Sequence, residues 1–137
     1  MGSDHVGCEL KSELKKHIES MGHTVIDVGA FSSQRSDYPV FGKLAAEKII
    51  SGEAEFAVLI CGTGFGISLT VNKFKGIRCV NCSEPFTAQL ARRHNNANAI
   101  AVGARVISAE YAKMIIDTFL SAEFEGGRHA ERLAMIE

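Results

Sequence analysis

The stretch LICGTGFGIS, residues 59–68, runs from apolar residues through a cysteine into glycines at alternate positions, Gly62, Gly64 and Gly66. An apolar run that stops at glycine reads as a strand ending in a tight turn, and FAVLIC (56–61) is that strand. A short helix around SLTVNKF (68–74) follows it. Glycine lets backbone N–H groups approach an anion without Cβ interference, and a helix N-terminus favours negative charge. The loop is therefore suited to a phosphate or to a developing enolate oxygen. As a dinucleotide fingerprint it is incomplete, because Ile67 stands where the third glycine belongs, although Glu84 does sit at the end of the next strand. The sulfur of Cys61 is the sharper feature. Only a small fraction of an ordinary thiol is ionised at neutral pH, and a glycine loop opening a helix favours the thiolate. A strand-end cysteine packed as a small hydrophobe fits the same position equally well. Thr63 either hydrogen-bonds an oxyanion or caps the helix.

Working outward, strand and helix patterns alternate. GCELKSELKKHIESMG (7–22) sets Leu10, Leu14, Ile18 and Met21 on one helical face, and HTVIDVG (23–29) reads as a strand. The loop AFSSQRSDYP (30–39) leads to the helix VFGKLAAEKIISG (40–52). Beyond the glycine loop come the strand IRCVNC (77–82), the helix PFTAQLARRHN (85–95) and the strand AIAVG (99–103). A long helix then runs from Ser108, a good N-cap, to about Ala122. EGGRHAERLAMIE (125–137) is a last helix entered through Gly126 and Gly127. This alternation predicts an α/β fold, a parallel sheet with helices on both faces, in one domain spanning 1–137. GSDH (2–5) looks like a strand-to-helix turn whose strand is missing from the sequence, so the sheet is expected to lack an early strand.

The bulk properties exclude several classes. The chain has 137 residues, 46% hydrophobic and 23% charged, with a net charge of −1. No basic field points to nucleic acid, and no apolar run approaches the roughly 18 residues of a membrane helix. No signal peptide is visible, and the expected location is cytoplasmic, with the four cysteines reduced. Cys79 and Cys82 form a C-x-x-C with no second ligand pair, so they read as small residues of a buried strand. His17 and His23 read as surface residues.

In parallel sheets, ligands gather at the carboxyl ends of the strands. Asp4, His5, Asp37, Tyr38, the Cys61–Gly64 turn, Ser83 and Glu84 follow strand ends or the loops beyond them. His94 and Asn95 end a helix and need a turn back to reach the same rim. Arg128 and Arg132, four residues apart, share a helix face and form either a phosphate clamp or a solvated surface.

The motifs GSDHVG, SDYP, CGTGFGIS, NKFKGIR, ARRHNNAN and EGGRHAER occur in the order and spacing of ribose-5-phosphate isomerase type B, which the chain resembles over its whole length. The resemblance extends to the related galactose-6-phosphate and allose-6-phosphate isomerases. It implies a Rossmann-like three-layer α/β/α sandwich with a five-stranded parallel sheet. It also implies metal-free, cofactor-free interconversion of ribose 5-phosphate and ribulose 5-phosphate through an enediolate. Cys61 corresponds to the base. Some members use a Glu further along the loop with Ser in place of the cysteine; Ile67 holds that Glu position here. By the same resemblance Thr63 and the amides of Gly62, Gly64 and Gly66 hold the enediolate oxygens. His94 opens the furanose ring, with Asp4 opposite it. His5, Arg128 and Arg132 bind phosphate, and Tyr38 and Asn95 contact sugar hydroxyls. The implied assembly is a homodimer or a dimer of dimers, with the site at the subunit interface. Two further readings are a nucleotide-binding module built on the glycine loop and Glu84, and a catalytically inactive structural relative.

Overall fold

The computed structural model describes residues 1–137. Its sheet has four strands, β1 (Gly2–Ser3), β2 (Ala57–Cys61), β3 (Cys79–Asn81) and β4 (Ala99–Gly103), in the order β1-β2-β4-β3. All neighbours are parallel. The helices are α1 (Cys8–Ser20), α2 (Tyr38–Ile50), α3 (Phe65–Val71), α4 (Pro85–Asn95), α5 (Ala109–Ser121) and α6 (Arg128–Ala134).

Every residue of β2 and β4 is buried, as continuous apolar strands covered on both faces should be. The period-2 alternation of a strand divides them between two cores. Val58, Ile60, Ile100 and Val102 face Leu10, Leu14 and Ile18 of α1 and Ile115, Ile116 and Phe119 of α5. Ala57, Leu59, Cys61, Ala99 and Ala101 face Ala45 and Ala46 of α2 and Ile67 and Val71 of α3. Cys61 therefore packs on the α2–α3 side of the sheet. Its side chain belongs to the core as well as to the strand end.

Three sequence expectations change. The strand before Asp4 is present as the two residues Gly2–Ser3, registered against Leu59 and Ile60. The expected strand 23–29 is instead extended chain outside the assigned sheet. It still runs beside the start of the chain: Met1 donates to Ile26 O at 2.6 Å, Val28 N–H to Met1 O at 2.9 Å, and Ser3 N–H to Gly29 O at 2.7 Å. It thus stands where a fifth strand would. The third change concerns α3, which starts at Phe65, earlier than the periodicity suggests. Gly64 turns the chain sharply with φ +82° and the helix begins at once.

Two polar bridges tie layers together. Lys11 is buried and pairs with Asp27 while its ammonium lies over the Phe31 ring at 4.8 Å. His17, expected at the surface, is half-buried and meets Asp117 at 2.6 Å, joining α1 to α5. His23 is exposed as expected. Cys79 and Cys82 are buried with free thiols. Burial, and then the neighbouring Cys82, push the Cys79 thiol up to about 12, and burial also raises Cys82. No helix is long and apolar enough to cross a membrane.

Candidate active site

A cleft of about 440 Å³ opens at the carboxyl ends of β1 and β2. Asp4, His5, Tyr38, Cys61, Gly62, Thr63 and Gly66 line it, and Arg35, Ser36, Asp37 and Arg105 complete its wall. The β1 and β2 termini put the Asp4–His5 and Cys61–Gly62 turns side by side, because Ser3 and Ile60 are in register. A second cavity, of about 280 Å³, has mostly apolar walls and includes Met1, Val25, Phe56 and Ala57 at the opposite end of β2. It holds none of the candidate residues.

Cys61 is 3% exposed, and its Sγ accepts a hydrogen bond from the Gly64 N–H at 3.2 Å. The turn is shaped by sterics. A Cβ on Gly64 would lie 2.1 Å from Asn81 Nδ2, and Asn81 in turn donates to Thr63 O at 3.2 Å. Thr63 Oγ1 accepts from the Phe65 N–H at 3.3 Å, so it caps the start of α3 while lining the cleft. Gly66 differs from expectation in belonging to the first turn of α3 rather than to the loop. Its missing Cβ makes room for the Tyr38 ring, which a side chain would meet at 2.4 Å. The Gly66 N–H lies in the first helical turn, where no intrahelical acceptor exists.

Asp4 is 6% exposed and its Oδ1 accepts from the Val6 and Gly7 N–H groups at 3.0 and 3.2 Å, holding the turn into α1. His5 is fixed through one nitrogen: Nδ1 lies 3.1 Å from Ser36 O and 3.2 Å from Ser36 N. Its Nε2 is left free of protein partners.

His94, Asn95, Arg128 and Arg132 do not line this cleft. Topology explains it. Helix α4 starts beyond the carboxyl end of β3 and runs back, so its last residues His94 and Asn95 lie where the chain re-enters the sheet at Ala99. Helix α5 likewise runs back from β4, and α6 packs on α4. Within one chain, His94 and Asn95 lie at the amino end of the strands, with α6, which carries Arg128 and Arg132, packed against their helix. There the His94 and His129 rings stack with centroids 4.1 Å apart and planes 8° from parallel. Glu125 lies between these rings and Arg93, 3.8 Å from His94 Nε2 and 3.6 Å from His129 Nε2. Burial, then His94 and Arg128, hold His129 below the ordinary imidazole range.

Sequence reasoning missed Arg105, which stands in the cleft wall against Gly62, and it missed Glu125 and His129. Arg105 follows the end of β4, so the strand-end rule applied to AIAVG would have found it. Glu84 is not free for a ribose: its carboxylate accepts from Phe86 N–H at 2.6 Å and Thr87 N–H at 2.8 Å, capping α4. This removes the acid on which the nucleotide reading relied.

Together these features define a Rossmann-like α/β sandwich with a thiol on the floor of a strand-end cleft and cations on its walls. The chain belongs to the family described as Ribose/Galactose Isomerase, whose profile matches residues 1–136. It is 51% identical over 135 residues to ribose-5-phosphate isomerase B of Escherichia coli (strain K12), covering 98% of this chain and 91% of the relative. It is 46% identical over 125 residues to galactose-6-phosphate isomerase subunit LacB of Clostridium acetobutylicum, covering 91% and 72%. The solved ribose-5-phosphate isomerase B of Clostridium thermocellum matches with TM-score 0.97 at 46% identity, over 98% of this chain and 91% of that one. The Mycoplasma genitalium ribose-5-phosphate isomerase B, solved with bound ribulose 5-phosphate, matches with TM-score 0.93 at 38% identity, over 98% and 90%.

Proposed function

We propose that this protein is a cytoplasmic aldose–ketose isomerase interconverting ribose 5-phosphate and ribulose 5-phosphate, with Cys61 as general base and no metal. The observation that carries the reading is the Gly64 N–H on Cys61 Sγ, at 3.2 Å, on the floor of the cleft. That contact fixes the sulfur on the cleft floor beside the backbone N–H groups of the turn, where a general base and the donors for a forming enediolate are both needed.

The proton α to a sugar carbonyl is weakly acidic, so its removal requires the forming enediolate to be stabilised as it appears. Cys61 takes the proton from C2 of the open-chain aldose and, after exchange with solvent, delivers one to C1, while the hydroxyl proton moves from O2 to O1. The negative charge that passes to the oxygens in between is met by the Thr63 hydroxyl and by N–H groups of the Gly62–Gly66 turn. Tyr38 lies over Gly66 and contacts a sugar hydroxyl. His5, through its free Nε2, binds the phosphate, and Arg105 in the cleft wall adds a further cation to it.

The remaining roles come from a second copy of the chain. His94 opens the furanose ring opposite Asp4, Asn95 contacts a hydroxyl, and Arg128 and Arg132 complete the phosphate site. The separation of these residues from Cys61 within one chain supports this division. So does an unpartnered apolar face beside the cleft. Val40 and Leu44 on α2 and Phe65 and Leu69 on α3 are two i, i+4 pairs left 53%, 39%, 61% and 66% exposed on helices that pack together. Such a face fits a two-fold homodimer.

The hexose 6-phosphate reading, supported by the likeness to the galactose-6-phosphate isomerase subunit, is tested in the same assay. Ribose 5-phosphate, allose 6-phosphate and galactose 6-phosphate are each incubated with enzyme in D2O, and the product is examined by NMR. The proposal predicts turnover of the pentose phosphate first, with solvent deuterium at C1 of the ketose. Exclusive turnover of a hexose phosphate would replace the substrate. Isomerisation of any sugar by direct hydride shift would leave C1 without solvent deuterium and remove the thiolate base.

A further inference from the structure

We propose that Glu125 is a positioning residue that clasps the ring-opening histidine and the phosphate arginines into one rigid unit. The proposal rests on the functional roles given above to His94, Arg128 and Arg132. Glu125 lies on the connection between α5 and α6, outside any helix. One carboxylate oxygen pairs with Arg93 on α4, and its own backbone N–H donates to Arg93 O at 3.0 Å. The other oxygen stands 3.8 Å from His94 Nε2 and 3.6 Å from His129 Nε2. These are ion-pair separations longer than a hydrogen bond, so this oxygen serves as one charge shared by two imidazoles.

The surroundings explain why a carboxylate is needed. Arg93, His94 and His129 surround the Glu125 carboxylate, and Arg128 and Arg132 lie near enough to His129 to act on its charge. Among the charges acting on His129, only Glu125 favours its protonated form, while His94, Arg128 and Arg132 oppose it. Without the carboxylate the group repels itself. The backbone offers little restraint of its own, because Gly126 and Gly127 lie at φ +67° and +55° between Glu125 and α6. His94 and Asn95 end α4, whereas Arg128 and Arg132 belong to α6. The His94–His129 stack joins those two helices directly, and the Arg93–Glu125 pair ties the chain just before the Gly-Gly turn to α4.

The same three side chains, His94, Glu125 and His129, have donor atoms within 4.8 Å of one another, the composition of a zinc site. Their geometry favours the clasp. The ring planes are nearly parallel with centroids 4.1 Å apart, so one ion cannot lie in both planes as in-plane imidazole ligation requires, and Arg93 already holds the carboxylate.

The test is Glu125→Gln, which keeps the shape and removes the charge. Three quantities are measured: kcat and KM for ribose 5-phosphate, the thermal midpoint, and the His129 imidazole titration by NMR. The clasp predicts a KM raised at least fivefold, from misplaced phosphate arginines, and a lowered kcat, from a misplaced His94. It also predicts a His129 midpoint below that of wild type, with partial recovery of kcat in Glu125→Asp. Wild-type kcat and KM within twofold, or an unmoved His129 titration, would overturn it. If Glu125→Gln does not fold, Arg93→Gln opens the clasp from the α4 side. The same KM and kcat changes are then expected, and wild-type values would overturn the proposal. Failure of the isomerase reading would show differently, as no turnover of any of the three sugar phosphates by wild type, and would leave the His129 titration result standing.

Discussion

The Cys61 sulfur and the Gly64 N–H meet at 3.2 Å, closing a turn of three residues between the end of β2 and the start of α3. The turn needs the left-handed backbone at Gly64, φ +82°, and has no room for a Cβ beside Asn81. Thiol, amide and helix start are therefore one structural unit, and changing any of them should disturb the others.

Gly64→Ala tests that unit from the glycine side. The substitution imposes a left-handed alanine, about 1 kcal/mol, and also displaces Asn81 from Thr63 O. Isomerase activity should fall more than tenfold while circular dichroism stays native. Wild-type activity in Gly64→Ala would mean that the turn does not set the position of the sulfur.

Mixing two inactive variants tests whether the site is shared. Cys61→Ala and Arg132→Ala should each be inactive alone. After co-refolding, half of the dimers are mixed, and each carries one intact site, so activity should return to about a quarter of wild type. Leu69→Lys, which charges the exposed apolar face, should yield monomers by sedimentation and abolish the recovery. If the mixture stayed inactive, all site residues would have to come from one chain.

Lys11 and Asp27 form a buried ion pair on the α1 side of the sheet. Lys11→Met removes the ammonium partner of the Asp27 carboxylate, leaving it the Gly29 N–H at 2.9 Å, and should cost about 3 kcal/mol in urea unfolding. Adding Asp27→Asn should recover most of that loss. A cost under about 1 kcal/mol would mean that water already reaches the pair.

The Cys79 thiol gives a pH signature. Its folded value, about 12, lies above its unfolded value of 9.0, so the folded state holds the proton more tightly. That contribution to stability is complete below pH 9 and is lost as the pH rises toward 12. The thermal midpoint of wild type should decline between those limits more steeply than that of Cys79→Ala. Equal slopes would show that Cys79 ionises freely in the folded protein. Alkylation of the native protein near pH 8 should likewise spare Cys79 and Cys82.

The sheet, its helices and the floor of the site were legible because each leaves a local mark. FAVLIC and AIAVG are apolar without alternation, Ser108 caps α5 through Tyr111 N–H at 3.2 Å, and Cys79 opens β3 with Cys82 buried just past its end. Segment 23–29 was harder. Its partner is only Gly2–Ser3, so its apolar pattern reports burial without a regular ladder. The loop glycines also looked alike in sequence, whereas Gly64 serves a backbone turn and Gly66 serves the Tyr38 ring. The separation of His94 from Cys61 within one chain was visible only through direction. A helix that returns from the carboxyl edge carries His94 away from Cys61, and spacing along the chain does not display this. Glu125 left no mark of its own, since its role depends on Arg93, His94 and His129 meeting in space.

The most direct measurement is isomerisation of ribose 5-phosphate in EDTA by wild type and Cys61→Ala side by side. Full wild-type activity in the chelator, with a loss of at least about a thousandfold in the variant, is the predicted result for a thiolate base acting without metal. Substantial activity in Cys61→Ala, or wild-type activity abolished by the chelator and restored by a divalent cation, would contradict the account.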